Sequence, residues 1–246
     1  MKRTVIGLMA TAVVFGAAAP AHAQNALGST FNIGVFADAD QNDGRSQTAT
    51  FSDSQGATLN PFSHSLSVTD TNNAGGTLNV TSSASASWLN AGEGTVLWRG
   101  MGWTHHTNAQ TGSRLNGFVG PSPVWSYTFQ ATTNGTFTLN YDVRATGDPF
   151  GLLGVGIEWS GTGGGLDLTN AYTPVAHGTF TRALAAGNTY TIGLSNSGNI
   201  FTSQYQRDSS GLMDADFHWT TAVPEPSTVG AFAVAGLAFV ARRRRR

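Results

Sequence analysis

The chain has 246 residues, 13 of them basic and 14 acidic, and no cysteine. Without a thiol it cannot run cysteine-based catalysis, hold an iron–sulfur cluster or build a thiolate zinc site. Between its terminal segments, residues 24–222 carry six arginines, no lysine and thirteen acids, a formal charge of −7 that makes nucleic acid and anionic membranes poor partners.

At the N-terminus, Lys2 and Arg3 precede a mostly apolar, uncharged run over residues 5–19, followed by Ala21-His22-Ala23. A basic start, a short apolar stretch and small residues at the −3 and −1 positions are the pattern of a secretory signal peptide. Signal peptidase is expected to cut between Ala23 and Gln24, so residues 1–23 are read as signal peptide. The apolar run is short for a membrane span. Residues 24–222 then form one domain, large enough to fold on its own core without disulfides.

The first chemical cluster follows. Asp38, Asp40, Asn42 and Asp43 precede Gly44, and alternating oxygen ligands on a turn suit calcium. The run departs from an EF-hand loop, since its glycine comes one place late and the twelfth position is Ala49 rather than glutamate. The competing reading is an Asx-rich turn whose side chains bond their own backbone. No other cofactor is expected.

From there period-two alternation dominates. Leu78 and Val80 begin it; residues 81–87, rich in Ser and Ala, read as a polar edge strand or a loop. Trp125, Tyr127 and Phe129 alternate with polar residues, as do Phe137, Leu139, Tyr141 and Val143, and then Tyr190, Ile192 and Leu194. Each run places one apolar face inward and one polar face outward. Gly75-Gly76, Asn134-Gly135, Ala186-Gly187-Asn188 and Ser197-Gly198 are turn signals. No stretch shows a 3.6-residue period. The prediction is an all-β protein, an antiparallel β-sandwich of jelly-roll type with about ten or eleven strands. Residues 180–192 read as strand, tight turn, strand, and resemble a hairpin common in jelly-roll accessory domains of secreted bacterial proteins, carbohydrate-binding modules among them.

Within this frame Trp98, Trp103, His105 and His106 lie close together, separated by two glycines. Exposed tryptophans stack on sugar rings and histidines bond hydroxyls; the alternative is that the indoles fill the core, as large aromatics usually do. A His105–His106 zinc site needs a further ligand, and His64, His177 and His218 are distant in sequence. Asp142, Glu158, Asp214 and Asp216 are the acids from which a glycosidase pair would be drawn, but sequence assigns them no separation. No Gly-x-Ser-x-Gly, His-Glu-x-x-His or phosphate-binding loop is present, so a non-catalytic protein is expected.

The C-terminus carries the most specific pattern. Val223-Pro224-Glu225-Pro226-Ser227 precedes an uncharged apolar stretch over residues 228–241, and Arg242, Arg243, Arg244, Arg245 and Arg246 close the sequence. As a helix the stretch is about 21 Å long, short of the ~30 Å hydrocarbon core, with flanking arginines that snorkel and remain cytoplasmic. This order of features resembles the PEP-CTERM sorting signal over residues 223–246. The resemblance implies an exosortase, a membrane-embedded transpeptidase-like enzyme, acting near the Pro-Glu-Pro after transient membrane tethering. It further implies delivery to the cell surface or an exopolysaccharide matrix. The expected function is a structural or glycan-associating matrix protein, with a carbohydrate-binding module or calcium-dependent adhesin as the alternative and a secreted glycan hydrolase as a third.

Overall fold

The computed structural model describes residues 24–39, 46–71, 76–105, 115–120, 122–147, 152–169, 175–202 and 209–222. They form thirteen strands: β1 (Gln24–Asp38), β2 (Gln47–Gln55), β3 (Phe62–Thr71), β4 (Thr77–Asn90), β5 (Glu93–His105), β6 (Leu115–Gly120), β7 (Trp125–Ala131), β8 (Gly135–Gly147), β9 (Leu152–Trp159), β10 (Leu166–Thr169), β11 (Val175–Leu184), β12 (Thr189–Thr202) and β13 (Ser209–Ala222). Two antiparallel sheets stack into a β-sandwich. One runs β11-β8-β13-β5-β4-β3; the other runs β10-β9-β12-β6-β1-β2, with β7 also bridging β1 and β12. Strands β6 and β7 thus share a single lane, joined at Val124, whose N–H donates to Leu194 O and whose carbonyl accepts from Asn32 N–H.

Four expectations are corrected. The strand count among the described residues exceeds ten or eleven, partly because that shared lane is broken at Pro123, which has no ladder donor. Residues 81–87 are neither edge nor loop: they lie in β4, between β3 and β5, and their small inward side chains Ser82, Ala84 and Ala86 are buried. The strands of residues 180–192 exist but do not form a hairpin, since β11 pairs with β8 in one sheet and β12 with β7 and β9 in the other. The turn between them, with Gly187 at φ +84, is an arch joining the two layers. Ser197-Gly198 is no turn either; both residues continue β12, opposite Gly154 and Leu153 of β9.

The period-two runs point inward as read. Trp125, Tyr127, Phe129, Phe137, Leu139, Val143, Ile192 and Leu194 are buried. At the centre Trp88, Trp125, Tyr127 and Trp219 touch one another across the layers, with Trp88 and Trp219 ring centroids 5.0 Å apart and Trp125 and Trp219 5.2 Å apart. Gly94 sits between Trp88 and Trp219 on the neighbouring strands. A Cβ there would lie 2.6 Å from Ser87 O and collide with the Trp219 ring, so only glycine lets that indole cross the strand.

Strand direction gives the sandwich two poles. Gln24, Ala222 and the turns at 56–61, 91–92, 132–134 and 185–188 lie at one. The connections β1–β2, β3–β4, β5–β6, β8–β9 and β12–β13 leave from the other. Among the described residues no helix is long and apolar enough to cross a membrane. The expected signal peptide and the tail helix of residues 228–241 lie outside them. Gly94→Ala is expected to cost ~1–3 kcal/mol through overpacking against Trp219, read as a lowered urea midpoint with an unchanged slope.

Candidate functional site

The outer face of the six-stranded sheet carries the chemistry. Pairing register brings Ser83, Arg99, Asp214 and Arg144 abreast on β4, β5, β13 and β8. One rung away, Ser85, Leu97, Asp216, Asp142 and His177 stand abreast on β4, β5, β13, β8 and β11. Directly opposed residues in antiparallel strands have Cβ atoms about 5 Å apart, so the first rung is a continuous polar row and the second is polar but for the exposed Leu97. Together the rungs line an open trough of about 470 Å³, whose wall also includes Ser63 of β3.

Two ion pairs set the electrostatics. Arg99 grips Asp214 with both fork nitrogens, Nε at 2.5 Å from Oδ1 and Nη2 at 3.2 Å from Oδ2. Arg144 does the same to Asp142, at 3.3 Å and 2.8 Å. All four side chains reach water, so these pairs contribute little stability, but they hold charged donors and acceptors in place. Asp216 has no arginine on its own rung and faces Asp142. Partial desolvation, with the neighbouring Asp142 charge next, raises the Asp216 pKa above the usual carboxylate value, while His218 opposes the shift. Asp142 moves the other way: the Arg144 hydrogen bond lowers its pKa, against a smaller desolvation effect. Three carboxylates, two guanidinium forks and a bank of serine hydroxyls are a set of donors and acceptors for a hydroxyl-rich ligand.

The sequence candidates separate on this framework. Asp142, Asp214 and Asp216 come together, whereas Glu158 lies on β9 in the other sheet. Trp98 is corrected from stacking platform to core: its side chain is 2% exposed, and its indole N–H donates to Ser82 Oγ at 3.2 Å. Inward phase on β5 forces this, since its neighbours Leu97 and Arg99 take the outer face. Trp103 and His105 end β5, paired with Ser210 on β13 and Thr77 on β4 respectively, and their side chains lie outside the described set. His106 lies outside the described residues altogether. His64 packs inward on Phe51, with ring centroids 3.7 Å apart. His177 and His218 are on the outer face, where His218 pairs with Glu93 at 3.7 Å. No group of three metal-ligating side chains occurs among the described residues. Of the calcium candidates only Asp38, at the end of β1, is described; Asp40, Asn42 and Asp43 lie outside, as do Ala21, Ala23, Val223, Pro224, Glu225, Pro226, Ser227 and the five terminal arginines. Sequence reasoning named the three aspartates but missed Arg99, Arg144 and the serine bank. Their signal was present in the outward phase of strands whose inward phase was easy to read.

Comparison with known proteins bears on the C-terminus. The family profile of the PEP-CTERM protein-sorting motif matches residues 222–246. The chain carries a PEP-CTERM sorting motif. The motif marks an exported protein processed by an exosortase and brought to the cell surface through a membrane-anchored stage. No curated protein matches the chain. Among solved structures, an exo-β-1,3-galactanase from Phanerochaete chrysosporium, crystallised with galactose, aligns at 12% identity and a TM-score of 0.18, covering 61% of this chain. The chain spans 55% of that enzyme's length, and a likeness of this size carries no functional weight.

The opposed shifts predict an ordered titration. Carboxyl carbon NMR should show Asp216 taking its proton at higher pH than Asp142. Asp142→Asn should bring the Asp216 value down, because a repelling charge is removed. Because the folded-state Asp216 pKa is raised, the cost of its charge to the fold is relieved as pH falls from that raised value to the unfolded carboxylate value; Asp142, with its lowered pKa, keeps its contribution through that window and loses it only as pH falls further, through its own folded-state value.

Proposed function

We propose that this is a non-catalytic surface or matrix protein that associates with extracellular polysaccharide through the Arg99–Asp214–Arg144–Asp142 trough. The observation that supports the reading is the trough itself. It holds ordered charged forks and serine hydroxyls on the outer face of an exported domain whose buried aromatics, Trp98 included, are committed to the core. Guanidinium forks and carboxylates can each engage neighbouring hydroxyls of a sugar, and exposed Leu97 on the trough's floor gives an apolar ridge for a ring face. The domain's formal charge of −7 favours neutral or cationic glycans over uronate-rich ones. Pull-down on the host's own polysaccharide should lose about tenfold or more in affinity for Arg144→Ala and for Asp214→Ala, the scale of one charge-assisted hydrogen bond. Retention unchanged in both variants would remove the trough from the account. If EDTA abolishes retention while the variants keep it, binding belongs to calcium at Asp38, Asp40, Asn42 and Asp43.

One observation favours a second reading, glycan hydrolysis. Asp142 and Asp216 are directly opposed, and their pKa values are pushed apart, as an acid and a nucleophile require. Reducing-end release from the same polysaccharide, abolished in Asp216→Asn, would establish this reading; the non-catalytic reading expects none.

A further inference from the structure

The strongest unassigned feature is the pole from which the chain leaves toward its sorting motif. The turn after β4 is fixed by both ends of the domain. Ala91 O accepts from the Gln24 side-chain amide and from Tyr127 OH, the latter at 2.6 Å. Gly92 O accepts from Thr221 N–H at 2.9 Å and from Thr221 Oγ1 at 3.2 Å. The first residue of β1 and the penultimate residue of β13 therefore close on adjacent carbonyls of one turn, Ala91-Gly92. Ala222 is still paired with Thr136 of β8, and β13 is an inner strand. The sorting motif begins at that residue, so no slack separates the fold from it. Pro224 is two residues beyond, at most about 7 Å of extended chain.

The same pole carries two displaced leucines. Register slips between Trp88 and Asn90 on β4, leaving Leu89 as a bulge residue, and between Ala26 and Gly28 on β1, leaving Leu27 in the same position. The bulges turn both side chains out, Leu89 to 74% exposure and Leu27 to 47%. Leu89 is the most exposed large hydrophobic side chain of the described residues. Bulges re-aim side chains: Leu89 turns out from β4 of the six-stranded sheet and Leu27 from β1 of the seven-stranded sheet, where it also lines a hollow beside Thr30, Ser126 and Thr128, so one apolar side chain stands near the pole on each layer. Either leucine alone is ordinary; two bulges displaying leucine beside the exit of a tail that must enter an enzyme are not explained by the fold.

We propose that this pole, centred on Leu89 and Leu27, is the surface the domain presents to its exosortase. It rests on the sorting reading and not on the glycan reading. With two residues of reach, an enzyme that takes up the Pro-Glu-Pro segment meets the folded pole, and the leucines supply the apolar contact. The opposite pole and the trough stay turned to the exterior while the tail is held.

The test follows loss of the tail from the full chain in a host bearing the exosortase. Leu89→Asp should slow processing severalfold, whereas Val175→Asp, exposed at the far end of β11, should not. A Gly/Ser spacer of about ten residues, roughly 35 Å when extended, placed between Ala222 and Val223 should erase the Leu89→Asp defect, because the motif then reaches the enzyme without the pole. Leu89→Cys is the chain's single cysteine and, carrying a photoreactive label, should cross-link to tagged exosortase in membranes. Normal processing of Leu89→Asp, a defect that persists with the spacer, or cross-linking to lipid alone would each overturn the proposal and leave the sorting reading standing. An unmodified chain that keeps Arg246 would overturn both.

Discussion

The aromatic seam between the sheets is the constraint on which the other features depend. A domain without cysteine must hold its two layers by burial alone, and large rings supply the most apolar area per residue. Trp125, Tyr127 and Phe129 project from one sheet, Trp88, Trp219 and Phe137 from the other, and they meet in a continuous line. The line continues through Trp159, stacked 5.3 Å from Tyr190. Gly94 exists to let Trp219 cross, and the small residues of β4 make room for Trp98. Burial raises the Tyr127 pKa well above its ordinary value, so its hydroxyl stays a neutral donor to Ala91 O, tying the seam to the turn that closes the pole.

Committing the rings to the interior leaves the outer faces to short polar side chains and a few charges. On the six-stranded sheet, register then does the work that sequence distance conceals. Arg99 and Asp214 are joined across adjacent strands, and Asp142 and Asp216 become neighbours. On the other sheet a hollow of about 360 Å³ is lined by uncharged residues, Ser54, Thr30, Ser126 and Thr128 among them, with exposed Glu158 two strands away from Ser126 across Gly193. The two faces are chemically distinct, and the charged one offers both donors and acceptors to a hydroxyl-rich ligand. Polarity along the strands adds a second asymmetry, with both domain ends at one pole and Asp38 and His105, the last residues of β1 and β5, at the other.

The inward half of the fold was legible in the sequence because burial imposes period two. Phe137, Leu139 and Val143 could be assigned a face from spacing alone, and so could Trp125. Trp98 was ambiguous because Gly100 and Gly102 interrupt its run and weaken the alternation that would have placed it inside. Residues 81–87 misled for a related reason: Ser82 and Ala84 are as small as their outward neighbours, so an interior strand looked like an edge. The arch over residues 185–188 could not be told from a hairpin, since turn chemistry says where a chain reverses and not which layer it joins. The trough was half visible. Its acids could be named, but sequence distance gives no register, and register alone brings Asp142 to Asp216 and Arg99 to Asp214.

The proposed glycan surface is the outer face of the six-stranded sheet rather than an aromatic platform. The direct measurement is NMR chemical-shift mapping of the labelled domain during addition of soluble oligosaccharides cut from the host's polysaccharide. Perturbations are expected only at Ser83, Ser85, Leu97, Arg99, Asp142, Arg144, Asp214 and Asp216, with the Trp98 indole N–H unmoved. Shifts gathered instead at Trp103, His105 and His106, with the trough silent, would contradict it.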